Sequence, residues 1–144
     1  SGRLGQLPES LQEQIRIATE RTARNTGLTL NLAVNYGGRA ELVDACKAVA
    51  ADVLAGRLAV EDVDESEIAA RLYQPDLPDP DLLIRTAGEM RISNFLLWQS
   101  AYSELIVLPI LWPSFQKRHL FEAVLQFSRR ERRFGAVAPR SAGS

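Results

Sequence analysis

One cysteine, one methionine and one histidine stand among 144 residues. A single cysteine, Cys46, excludes a disulfide within the chain and fits a reducing compartment. It lies in an Ala/Val-rich helical run, where a small core residue is expected. His119, the lone histidine, falls in the last helix outside every motif and is expected at the surface. The net charge of −1 provides no global field for nucleic acid or an anionic membrane, so no nucleic-acid partner is expected. No apolar run reaches membrane-spanning length and the first residues lack a signal-peptide core. The expected location is cytoplasmic. An apolar content of 46% against 24% charged residues is that of a soluble globular protein, long enough for one domain with its own core.

The helical and strand periods alternate along the chain, with no internal repeat. A helix is expected from Pro8 to Asn25, closed by Gly27. From Leu28 to Tyr36 every even position to Val34 is apolar, the alternation of a strand, whose other face carries Thr29, Asn31 and Asn35. Gly37 and Gly38 then turn the chain into a helix over 40–55. That glycine pair is neither a Walker A loop nor a GxGxxG fingerprint, and a tight turn is its commoner use. Asp64 with Glu67 resembles a capping box for a short helix to Leu72. Leu82–Ile84 and Glu104–Leu108 read as buried strands, and a last helix is expected from Phe115 to Arg133. Three strands alternating with five helical segments imply an α/β fold: a mostly parallel central sheet with helices on both faces. The sheet is expected to lack its N-terminal strands.

Polar residues crowd one stretch, Arg85-Thr-Ala-Gly-Glu-Met-Arg-Ile-Ser93. It begins where a strand ends and leads to an expected helix from Asn94 to Tyr102. Two arginines and a hydroxyl at that place are built like an anion site, since guanidinium forks match phosphate oxygens and helix N-termini favour negative charge. An ordinary turn, with the arginines on Glu89 or in water, is an equal alternative on chemistry alone. In open α/β sheets, ligands bind beyond the carboxyl ends of strands, so 35–39 and 85–93 are both placed to line a crevice. The basic run Arg129-Arg-Glu-Arg-Arg133 before Gly135 has a plain structural use, because cations suit helix C-termini and glycine follows them. The small residues of 138–144 read as a disordered tail.

Three segments in order, Asn35-Tyr-Gly-Gly-Arg39, Asp79 to Glu104, and Arg129 to Gly135, resemble the cis-prenyltransferases, the undecaprenyl diphosphate synthase or isoprenyl transferase family. The resemblance covers 7–137 and implies the C-terminal part of one such domain. It implies a Mg²⁺-dependent transferase that condenses isopentenyl diphosphate with an allylic prenyl diphosphate, and a homodimer whose lipid product allows peripheral membrane contact. Arg85, Arg91 and Ser93 would hold the isopentenyl diphosphate headgroup, and Arg133 and Gly135 would reach it across a dimer interface. Asn35 matches a polar position near the site, and Glu104 matches the acidic metal ligand. Eleven residues of helix between Ser93 and Glu104 would separate them by roughly 15 Å, so Glu104 is expected to act at a partner subunit's site or not to be a direct metal ligand. Leu28, Leu30 and Leu32 are candidates for the apolar product tunnel, although plain core is the commoner role.

The sequence departs from the family in two respects. Its N-terminal Asp-Gly-Asn motif, followed by Arg-Trp, is absent, so no catalytic residue is expected among these 144. Met90 stands where many relatives have a polar residue. Two alternatives follow: a non-catalytic partner subunit of a heteromeric enzyme, or an unrelated phosphate-binding module. Retention of Arg85, Arg91 and Ser93 favours the catalytic type, since accessory subunits typically lose that block.

Overall fold

A computed structural model describes residues 1–130, so Arg133, Gly135 and the expected tail lie outside the described residues. The described chain falls into two compact units, one formed by 1–78 with 93–98 and the other by 79–92 with 99 onward.

The second unit carries the sheet. β1 (Leu82–Arg85) and β2 (Glu104–Val107) pair in parallel, with Leu82 opposite Glu104 and Arg85 opposite Val107. α4 (Lys117–Ser128) packs on β2. Between them Ile106, Leu108 and Ala123 are buried, with Leu82, Ile84, Phe115 and Phe127 packed around. Burying one isoleucine such as Ile106 stabilises the fold by roughly 1.5–3 kcal/mol. The parallel α/β class expected from the alternating periods is the one found.

The first unit is helical: α1 (Glu9–Thr22), α2 (Gly38–Leu54) and α3 (Glu65–Ala69). α1 buries no residue. Arg16 braces its outer face on Glu13 and Glu20 at 2.6 and 2.5 Å, pairs each worth about 0.2–0.5 kcal/mol. Asp64 caps α3 as its sequence foretells, accepting the Glu67 N–H at 3.0 Å. α3 packs on α2, where Arg71 joins Asp52 and Glu67 at 2.6 and 2.5 Å.

Several expectations require correction. Residues 28–34 form no strand, although they alternate correctly. A strand needs a hydrogen-bonded neighbour, and among the described residues this segment meets the first residues of the chain: Val34 N–H donates to Ser1 at 2.9 Å and Arg3 N–H to Asn35 at 3.2 Å. Leu28, Leu30 and Leu32 are therefore exposed, at 94, 75 and 64%, and join no buried core among the described residues. The expected helix from Asn94 to Tyr102 is a run of turns. Ser93, Asn94 and Leu96 have φ of 52, 65 and 46°, left-handed values that interrupt the helical hydrogen-bond ladder. The 15 Å estimate for Ser93 and Glu104 loses its basis with that helix. Cys46 is exposed, because α2 turns Glu41, Ala45 and Val49 inward instead. His119 is buried and caps α4, its Nδ1 accepting the Gln116 N–H at 2.9 Å.

Candidate functional site

In the second unit, the sheet fixes where the arginine-rich turn begins. Arg85 is the last residue of β1, and its carbonyl accepts the Leu108 N–H at 2.8 Å. Ala87 and Gly88 then donate to Ile110 and Leu108 at 2.6 and 3.0 Å. Both have positive φ, 61 and 68°, which reverses the chain sharply; glycine accepts this freely and alanine at a cost. The turn brings Glu89 under two guanidiniums. Arg85 donates to its Oε2 and Arg91 to its Oε1. The Arg85 hydrogen bond, followed by the charge of Arg91, holds the Glu89 carboxyl below its usual range. Arg85 is half-buried and Arg91 exposed. Two forks converging on one carboxylate have the arrangement that a phosphate group can take over, with its larger charge and further acceptor oxygens.

In the first unit, Ser93 and Asn94 sit against the start of α2. The Asn94 carbonyl accepts the Gly38 N–H at 2.8 Å, and its side-chain oxygen accepts the Arg39 N–H at 2.9 Å. This approach needs both glycines. A Cβ at Gly38 would lie 2.8 Å from the Leu97 Cγ and 3.1 Å from the Leu97 nitrogen, and one at Gly37 would lie 2.9 Å from the Asn94 amide. Arg39, Ser93, Asn94 and Leu97 line an open depression of about 380 Å³. A larger one, about 440 Å³, runs along α1, but Glu9, Glu13 and Arg16 line it and the arginine is already paired. Volume alone therefore does not identify the anion site.

Asn35 is placed by its own left-handed backbone, φ 50°. Its amide donates to the Arg3 carbonyl at 3.1 Å and the Gln6 side chain at 3.0 Å, holding the first residues of the chain. Next to it lies a network that the sequence did not reveal. Glu41 is 2% exposed and accepts the Tyr36 hydroxyl at 2.5 Å and the Tyr73 N–H at 2.9 Å. Burial, then the bond to Glu41, pushes the Tyr36 phenol well above its ordinary range. Three positions on, Asp44 takes both arms of Arg3 at 3.0 and 2.9 Å and the Tyr73 hydroxyl at 2.6 Å. A lone glutamate in an apolar helical stripe was the available signal, but its partners are distant in sequence.

Glu104 opens β2, and its carboxylate accepts Arg130 at 2.5 Å. Among the described residues no three His, Cys, Asp or Glu side chains gather where a metal could bind. A metal ion at the Glu104 carboxylate would have to displace the arginine that holds it.

Geometry alone supports anion binding, and comparison with known proteins gives it a family. Residues 1–135 match the sequence profile of the prenyltransferase family, described as undecaprenyl diphosphate synthase. The chain belongs to this cis-prenyltransferase family. It is 50% identical over 143 residues to a trans,polycis-polyprenyl diphosphate synthase ((2Z,6E)-farnesyl diphosphate specific) of Thermobifida fusca, covering 99% of this chain and 51% of that protein. A tritrans,polycis-undecaprenyl-diphosphate synthase (geranylgeranyl-diphosphate specific) of Thermoplasma volcanium is 50% identical over 134 residues, which are 93% of this chain and 52% of the relative. Among solved structures, lavandulyl diphosphate synthase from Lavandula x intermedia in complex with dimethylallyl diphosphate aligns with a TM-score of 0.91 at 40% identity, covering 94% of this chain and 58% of that one. This cis-prenyltransferase chain spans about half the length of the curated relatives it matches.

Proposed function

We propose that this cis-prenyltransferase chain supplies the isopentenyl diphosphate side of an active site, with Arg85, Arg91 and Ser93 on the headgroup. The convergence of Arg85 and Arg91 on the Glu89 carboxylate carries the reading, because it brings two guanidinium forks to one oxyanion. The Ser93 assignment rests on its place in the motif, two residues beyond Arg91.

In the reaction, the alkene of isopentenyl diphosphate attacks the allylic carbon of a prenyl diphosphate. A C–C bond forms there, the allylic C–O bond breaks with departure of diphosphate, and the new unit loses a proton. The part of these residues is to hold the attacking substrate by its charged end and so orient its alkene. Breaking the allylic bond falls to residues that carry the family's Asp-Gly-Asn motif. Asn35, Arg133 and Gly135 are assigned to the isopentenyl diphosphate side on the motif resemblance, the last two reaching it from a partner subunit.

Magnesium dependence is proposed for the complete active site, and no step here runs through the ion. Glu104 would serve as a ligand only after release from Arg130, at a partner subunit's site; a metal-bound dimer with Glu104 remote from every metal ion would end that role. A non-catalytic accessory subunit is the second reading, and the retained Arg85, Arg91 and Ser93 weigh against it.

Titration calorimetry with isopentenyl diphosphate tests the headgroup assignment. Removing one charge-assisted contact costs roughly 1.5–3 kcal/mol, so Arg85→Ala is expected to weaken binding about ten- to a hundredfold. Unchanged affinity would remove Arg85 from the site.

A further inference from the structure

The geometry points to Arg39 as a further binding residue for the diphosphate that Ser93 holds. It rests on the reading that Ser93 touches the isopentenyl diphosphate headgroup, and extends that site to the start of α2.

Three observations converge. First, Arg39 and Ser93, 54 positions apart in the chain, line the same open depression, with Asn94 and Leu97 as the other lining residues. No carboxylate is among these described residues, so none of them opposes a bound anion. Second, the placement of Arg39 is built rather than incidental. Asn94 bonds the backbone of both Gly38 and Arg39, and any side chain at Gly38 would collide with Leu97. The two glycines thus serve to bring the α2 backbone against the Ser93 turn, and the first side chain after them is an arginine. Third, Arg39 makes no ion pair among the described residues, whereas Arg3, Arg71, Arg85 and Arg91 each rest on a carboxylate. Arg39 therefore needs to give up no ion pair to meet a phosphate, unlike Arg85 and Arg91, which must release Glu89. The ordinary alternative is a solvated surface arginine, the commoner fate of an exposed cation. What separates Arg39 from that alternative is the shared depression with a headgroup residue.

Isopentenyl diphosphate titrated into the wild-type chain, Arg39→Ala, Arg39→Lys and Arg85→Ala decides the matter, with thermal unfolding followed on each. Arg39→Ala is expected to bind about tenfold more weakly, as for one lost charge-assisted contact, with Arg39→Lys between it and wild type. An Arg39→Ala affinity within twofold of wild type, beside a weakened Arg85→Ala, overturns the inference and leaves the headgroup reading standing. Weakening by Arg39→Ala without weakening by Arg85→Ala has the converse meaning: Arg39 binds the anion, and the headgroup reading for Arg85 fails. A measurement on unmodified protein guards against a variant that does not fold. Isopentenyl diphosphate should protect Arg39 from phenylglyoxal, read by peptide mass, and undiminished labelling at saturation would also overturn the inference.

Discussion

Glu89 holds two arginines with one carboxylate, and that makes it the residue on which the proposed headgroup site turns. Orienting guanidiniums before a ligand arrives saves the ordering cost at binding. Glu89→Ala is expected to weaken isopentenyl diphosphate binding by about tenfold, on the order of one lost charged contact, while Glu89→Gln keeps most of the affinity through its remaining acceptor. Tighter binding by Glu89→Ala in the same titration would instead mean that releasing Glu89 costs more than its ordering of the two arginines contributes. The presence of Glu89 between Arg85 and Arg91 made this pairing legible in the sequence as one of two readings. The Asn94 contacts were not legible, because their partners lie 55 and 56 positions away across a turn with left-handed residues. His119 was misjudged for a related reason: a histidine three residues into a helix can cap it, and composition does not distinguish that from exposure.

At the scale of elements, α2 is held by carboxylates on its inner face. Arg3, then Tyr73, hold the Asp44 carboxyl down to about 2 from an ordinary value of 3.8. A depressed folded-state pKa contributes stability that is complete above the unfolded value. That contribution is lost as pH falls from 3.8 toward about 2. Comparing thermal unfolding of wild type and Asp44→Asn across this window isolates it from the other carboxylates. The wild-type advantage should be full at neutral pH and shrink toward pH 2; a pH-independent difference would mean the Arg3 and Tyr73 contacts contribute nothing through charge. α2, β1 and β2 were readable because each carries its own period: a helical stripe, or a short apolar run between polar ends. The 28–36 segment carries an equally clear period and still forms no strand. Alternation specifies which side chains share a face, but the ladder depends on a neighbour that no local pattern contains. The 94–102 segment failed differently, since apolar residues at helical spacing cannot reveal three left-handed backbones.

At the scale of the whole molecule, apolar surface outruns what the described chain covers. On α4, Leu120, Phe121, Val124 and Leu125 are 43, 58, 45 and 52% exposed, and Leu111 and Trp112 before it are 66 and 71% exposed. A stripe of this kind beside a buried face fits an interaction surface, and we propose a second copy of the chain as its partner. Sedimentation velocity at micromolar concentration should give roughly twice the 16.0 kDa chain mass; a monomer would count against self-association. The family was legible from the motif block because a long ordered run of polar residues is hard to match by chance. The contacts of Asn94 with Gly38 and Arg39, which set Arg39 beside Ser93, emerged only when distant segments were placed side by side.

The most direct test of the headgroup assignment is a crystal structure of the chain grown with isopentenyl diphosphate. It should place diphosphate oxygens within hydrogen-bonding distance of Arg85, Arg91 and Ser93, with at least one arginine released from Glu89. A diphosphate bound elsewhere, with Arg85 and Arg91 still closed on Glu89, would contradict it.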